Sequence, residues 1–209
     1  MQDKLGDQIK GWERNYAPII PANEGLIVRL DGKNFSRWTE SFDKPFDLEL
    51  NRAFVDTTTA LMEEYNPDVG YTQSDEITLI WYPNSEDSNT QHPFGGKTQK
   101  LCSVLASHCT VLFDTHVMPN DWALFDARAF GVLSKGNCNS VLAWRGDDAH
   151  RNGVTSIAQQ FFSDKQLHGV HTNGRIQMLK DVGVDINDYP PHNLHGTLLE
   201  FEMKIVELT

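Results

Sequence analysis

Leu5, Ile9, Trp12 and Tyr16 recur at helical spacing, so residues 2–16 are predicted to form an amphipathic helix that Pro18 and Pro21 stop. The run Gly25-Leu26-Ile27-Val28-Arg29-Leu30 is short, apolar and rich in branched side chains, and it reads as a buried strand ending at Asp31-Gly32. Asp47 is placed to cap a helix whose buried face is Leu50, Phe54, Leu61, Met62 and Tyr65, and Asn66-Pro67 ends it. Two further strand-like stretches, 69–72 and 77–82, flank the polar Gln73-Ser74-Asp75-Glu76 and predict a hairpin with acids at its turn. Residues 83–97 form a predicted loop, followed by a helix with Leu101, Val104, Leu105, His108 and Leu112 on one face. Residues 124–130 alternate like another strand. Beyond them the pattern predicts helices around 137–149 and 152–164, a loop at 168–174 and a helix near 175–182. A terminal strand follows, in which Leu199, Phe201, Met203 and Ile205 alternate with Glu200, Glu202 and Lys204.

The order strand, helix, hairpin, helix, strand is that of the ferredoxin-like split unit. It predicts an α+β palm domain, an antiparallel βαββαβ sheet with helices on one face, over about residues 25–132. A mostly helical C-terminal part spans about 133–209. Without a repeat, a low-complexity tract or a flexible linker, the whole chain is expected to fold as one domain. Fold alone names no chemistry.

Composition narrows the choice. The 209 residues carry 18 Lys+Arg against 29 Asp+Glu, a net charge of −11, so nucleic acid is not gripped by a broadly basic surface. Any nucleic-acid contact must be local or pooled across subunits. The three cysteines, Cys102, Cys109 and Cys138, form no CxxC pair and read as reduced core thiols, and Cys102, His108 and Cys109 are too poorly arrayed for zinc. No stretch of roughly 18 apolar residues is present to span a bilayer, and the start lacks a signal-peptide core, which places the expectation in the cytoplasm. Walker A, Rossmann and nucleophile-elbow motifs are all missing.

The split unit brings the end of the first strand beside the hairpin turn, so Asp31, Asp75 and Glu76 are expected to converge. Such a cluster repels itself unless a hard divalent cation neutralises it, and a pair of Mg²⁺ ions suits phosphoryl or nucleotidyl transfer. The plainer reading is a polar turn and an ordinary strand exit. Gly32-Lys33-Asn34-Phe35-Ser36-Arg37 offers amides and cations to phosphates, and Lys44 adds a point charge; each taken singly also reads as a solvated loop. Arg128 is either a phosphate ligand or an ion pair on an edge strand. His150 lies in a polar cluster where a lone histidine is commonly structural.

Taken together, Arg29-Leu30-Asp31-Gly32-Lys33-Asn34-Phe35, Lys44-Pro45-Phe46-Asp47 and Tyr71-Thr72-Gln73-Ser74-Asp75-Glu76 resemble the tRNA-His guanylyltransferase family. Trp144-Arg145, Asp148-Ala149-His150-Arg151-Asn152, Leu167-His168-Gly169 and His195-Gly196-Thr197 follow the same family in order, and the likeness is to its shorter, prokaryotic-type members. The resemblance implies an enzyme that adds nucleotides to the 5′ end of tRNA in the 3′→5′ direction after ATP or GTP activates the 5′-phosphate. It implies two Mg²⁺ held by Asp31, Asp75 and the Gly32 carbonyl with Glu76 beside them. Lys33, Asn34, Phe35, Lys44 and Ser74 then line the triphosphate path, with Arg128, in its phosphate-ligand reading, added to the nucleotide side, and Arg145, His150, Arg151, Asn152 and Arg175 are expected to serve the RNA. Where eukaryotic members carry His-x-Asn-Asn, this chain has His150-Arg151-Asn152-Gly153, and Arg175 and His195 stand where the family has lysines. These departures favour tRNA 5′-end repair over strict addition of one G to tRNA-His. A homo-tetramer is expected, since subunits would pool the few cations around Arg145, Arg151 and Arg175. A palm-type nucleotide cyclase and a noncatalytic nucleotide-binding protein remain the alternatives.

Overall fold

The computed structural model describes residues 4–84, 90–117 and 122–202. Helix α1 (Lys4–Asn15) leads into strand β1 (Gly25–Gly32), a one-turn helix α2 (Phe35–Trp38) and the long helix α3 (Leu48–Tyr65). Asp47 caps α3 as its sequence position predicts, its carboxylate accepting from the Leu50 amide at 2.8 Å. Strands β2 (Val69–Gln73) and β3 (Glu76–Trp81) form the hairpin, followed by helix α4 (Thr98–Val117) and strand β4 (Phe125–Val132). Helix α5 (Lys135–Ala158), helices α6 (Asp164–Leu167), α7 (Thr172–Asp181) and α8 (Pro191–His195) and strand β5 (Thr197–Leu199) complete the described chain.

The sheet order is β4-β1-β3-β2-β5 with antiparallel neighbours throughout. Its first four strands have the order the split βαββαβ unit requires. Because side chains alternate across a strand, register sorts the sheet into two faces. Leu26, Val28 and Leu30 with Ile77, Leu79 and Trp81 meet α3 and α4 in the main core, which includes Phe35, Phe54 and Phe113. Ile27, Val69 and Ile80 lie on the other face under Cys138, Val141 and Leu142 of α5. The C-terminal helices gather a separate core of Val154, Ile157, Leu167, Leu179 and Leu194.

Several expectations change. The two helices predicted over 137–149 and 152–164 are one continuous α5, because Gly146 and Gly153 sit inside it without breaking it. Gly153 is there for packing: a Cβ would run into the Asn193 carbonyl and Leu194, so glycine lets α8 lie against α5. The buried stripe of α4 is Leu101, Leu105, Cys109 and Phe113, whereas Val104 is 36% exposed, so the core face is rotated from the one predicted. The predicted loop at 168–174 closes early, since α7 begins at Thr172. The last strand is only Thr197–Leu199, pairing with β2 at the sheet edge; Phe201 is outside it, and Met203 and Ile205 lie outside the described residues.

Candidate active site

The two-residue turn of the β2–β3 hairpin places Ser74, with φ of 50°, and Asp75 beside the end of β1. The Gly32 amide donates to the Asp75 carbonyl at 3.0 Å, which ties the turn to the strand end carrying Asp31. Burial raises the Asp75 pKa above the ordinary aspartate range, and the nearby charge of Asp31 raises it further. This pair therefore repels. It offers only hard oxygen donors, a set that fits Mg²⁺, and a divalent cation between the two carboxylates would relieve the repulsion.

Glu76 stands directly opposite Asp31 in the β1–β3 register, as the expected convergence requires, but its carboxylate is engaged by arginines. Its carboxylate accepts from Arg145 Nε at 2.6 Å and Nη2 at 2.7 Å, and Arg29 Nε lies 3.4 Å away. Thr78 adds a hydrogen bond at 3.2 Å. Burial pushes the Glu76 carboxyl upward, and Arg145 and Arg29 oppose that. Among the described residues no group of three or more His, Cys, Asp or Glu is placed to hold a metal.

A correction concerns Arg145. Expected at an RNA surface, its guanidinium is buried between Glu76 and Asp148, whose carboxylate accepts from it at 2.8 Å. The expected amide cradle is also partly committed. Gly32 donates to Asp75 and Lys33 to the Leu124 carbonyl at 2.8 Å, so these amides complete the fold. Phe35 is buried among Trp38, Phe54, Phe113 and Phe125, and a Cβ on Gly32 would collide with its ring. Asn34, left-handed at φ 56°, caps the short α2.

Beside Asp75 opens a cleft of about 420 Å³, large enough for a nucleotide. Ser36, Lys44, Asn51, Ser74 and Asp75 line it from the palm, and Asn152 and Ser156 of α5, Gln160 just beyond α5, and His192 and Asn193 of α8 face them. Lys44 Nζ donates to the Thr39 carbonyl at 3.0 Å. Asn152, expected to serve RNA, thus shares the cleft with the residues expected to serve the nucleotide. The structure separates the others. His150 stacks on His195 with centroids 5.6 Å apart and an interplanar angle of 10°, Arg151 is exposed and paired with Asp148 at 2.9 Å, and Arg175 donates to Thr155. Arg128 stands on the edge strand and pairs with Asp31 at 3.6 Å and Asp126 at 3.5 Å.

Sequence reasoning missed the α8 wall and Asp126. No motif marks His192 or Asn193, which reach the cleft only because α8 docks on Gly153. Asp126 was legible in principle, since it lies two residues before Arg128 on the same face of β4.

Residues 6–132 match the tRNAHis guanylyltransferase family. An uncharacterised protein of Acanthamoeba polyphaga mimivirus is 30% identical over 97% of this chain and 79% of its own length. A probable tRNA(His) guanylyltransferase of Drosophila melanogaster is 25% identical over 92% of this chain and 72% of its own. Among solved structures, a bacterial tRNA(His) guanylyltransferase-like protein in complex with ATP superposes with a TM-score of 0.87 at 31% identity, covering 95% of this chain and 89% of that one. A bacterial tRNA(His) guanylyltransferase-like protein in complex with GTP gives a TM-score of 0.82 at 29% identity, covering 98% and 87%.

Proposed function

Because this chain belongs to the tRNA(His) guanylyltransferase family of nucleotidyltransferases, we propose that it adds nucleotides to the 5′ end of tRNA in the 3′→5′ direction. The tRNA 5′-monophosphate first takes the nucleotidyl group of ATP or GTP with release of pyrophosphate, and the 3′-hydroxyl of an incoming NTP then attacks the activated 5′-phosphorus and expels AMP or GMP. The observation that carries this reading is the Asp75 turn, which forms one lip of a nucleotide-sized cleft while its carboxylate feels the charge of Asp31. The bacterial relatives solved with ATP and with GTP support an NTP in that cleft.

Asp31 and Asp75 would hold Mg²⁺, with the Gly32 carbonyl beside them. Bound there, Mg²⁺ supplies neutralisation of phosphate charge and activation of the attacking oxygen. Lys44 and Ser74 orient the triphosphate along the cleft wall, and Asn152 and Gln160 close the opposite side around sugar or base. Arg145, through its grip on Glu76, fixes the strand that carries Asp75 and so positions the pair without touching substrate. Arg151 and Arg175 offer cations to the RNA backbone from the α5–α7 side.

Truncated tRNAs are the preferred acceptors in this reading, because Gly153 replaces a residue of the family's recognition stretch and is required for α8 packing. We also propose a cytoplasmic homo-tetramer. Leu5, Ile9 and Trp12 of α1 are 41–63% exposed along one helical stripe that Tyr16, just beyond the helix, extends, an apolar face suited to contact between copies. Among the described residues no helix is long and apolar enough to cross a membrane.

The test offers intact and 5′-truncated tRNAs of several identities, each with all four NTPs and Mg²⁺. Extension of truncated ends supports the reading. Turnover of NTP to a cyclic product without RNA would replace it with a cyclase, and NTP binding without pyrophosphate release would replace it with a nucleotide-binding protein.

A further inference from the structure

On the face of the sheet that carries the Asp31 side chain, the register sets Asp31 opposite Asp126 and Arg29 opposite Arg128. Directly opposed side chains on one face have Cβ atoms roughly 4.5–5.5 Å apart, so each is a like-charge pair that destabilises the sheet unless compensated. The two pairs are compensated differently. Arg29 turns to Glu76 at 3.4 Å, while Arg128 reaches across, with Nη1 3.6 Å from Asp31 Oδ2 and Nη2 3.5 Å from Asp126 Oδ1. Arg128 and Asp126 are both more than half exposed at their side chains, so the contact is free to exchange.

We propose that Arg128 is a built-in counter-ion that occupies the cation position between Asp31 and Asp126, and that a divalent metal binding at Asp31 must displace it. This rests on the reading of Asp31 as a metal ligand. Once displaced from Asp31, the guanidinium keeps Asp126 as partner and remains beside the site, where its fork matches a phosphate. The arginine thus neutralises the pair in the metal-free protein and opposes the metal during loading. A residue that merely shaped the metal site would have the opposite sign.

The probe is Mn²⁺, with free ion counted by electron paramagnetic resonance in the absence of RNA and NTP. Wild type, Arg128→Gln, Arg128→Lys, Asp31→Asn and the Asp31→Asn/Arg128→Gln double variant are compared. Arg128→Gln should bind Mn²⁺ tighter by roughly two- to fivefold, the range of an exposed ion pair. Arg128→Lys, which keeps the charge but cannot bridge both acids with a planar fork, should fall between. The gain should vanish in the Asp31→Asn background. In EDTA, Arg128→Gln should melt below wild type, and saturating Mn²⁺ should close that gap. Equal or weaker Mn²⁺ binding by Arg128→Gln, with Asp31-dependent binding in wild type, overturns the counter-ion and leaves the metal reading standing. If neither wild type nor Arg128→Gln shows Asp31-dependent Mn²⁺ binding, the metal reading fails and the counter-ion with it.

Discussion

Arg145 grips Glu76 at both carboxylate oxygens, Nε to Oε1 at 2.6 Å and Nη2 to Oε2 at 2.7 Å, joining the middle of α5 to the first residue of β3. Both partners are about 5% exposed. Removing Arg145 leaves the buried Glu76 carboxylate with only the longer Arg29 contact at 3.4 Å and the Thr78 hydrogen bond, so Arg145→Ala should cost up to about 3 kcal/mol in urea unfolding. Replacing both, as in Glu76→Leu/Arg145→Met, should cost much less than the sum of the single changes. Additive costs in the double-mutant cycle would contradict the coupling.

Gly153→Ala tests the wall contributed by α8. The added methyl meets the Asn193 carbonyl and Leu194, so α8 must move away from α5. An overpacking cost of about 1–3 kcal/mol is expected, together with weaker NTP binding, because His192 and Asn193 leave the cleft. Unchanged stability and unchanged NTP affinity would show that the helices are not locked at this contact.

Asp75 carries a stability cost in the folded chain. Its folded pKa is raised, so the folded chain holds this proton more tightly than the unfolded one. The cost is therefore absent below the ordinary aspartate value, grows as pH rises toward the raised folded pKa, and is complete above it. In EDTA at pH 7, Asp75→Asn should therefore melt above wild type. The difference should shrink as pH falls toward the ordinary aspartate range. A lower melting temperature for Asp75→Asn at pH 7 in EDTA would mean that the carboxylate is stabilised rather than strained.

Arg151 is half exposed and shares only Asp148, leaving donors for a phosphate. Arg151→Ala should weaken RNA binding at all sequences alike and reduce the slope of log affinity against log salt by about 1. NTP affinity should not move. An unchanged salt slope would remove Arg151 from the RNA surface.

How much of this was legible in the chain depends on which signals are local. The split unit and the Asp47 cap follow from period-2 runs and a capping residue and stand where the pattern put them, while the four-residue polar break narrows to the turn Ser74-Asp75 because Gln73 and Glu76 pair as strand residues. The continuous α5 was hidden because Gly153, a residue that punctuates helices in sequence, is here selected by α8 packing against it, a tertiary cause that no periodicity carries. The rotated face of α4 was hidden because Val104 and Leu112 match the apolar spacing as well as Cys109 and Phe113 do. Glu76 was grouped with Asp31 and Asp75 by adjacency. It does stand opposite Asp31 in the register, but its capture by Arg145, 69 residues away, has no local signal. Asp31 and Asp75 remained together because turn and strand end are neighbours in the topology itself.

The most direct measurement of the central claim is 5′-end addition by Asp31→Asn and Asp75→Asn in Mg²⁺, on a truncated tRNA at saturating NTP, with folding checked by circular dichroism. Each substitution keeps the side chain's shape and removes the charge a cation requires. Both variants should lose addition by about 10²–10³-fold or more while remaining folded and retaining weak NTP binding. Near-normal addition by a well-folded Asp75→Asn protein would contradict the assignment of the Asp31–Asp75 pair as the catalytic centre.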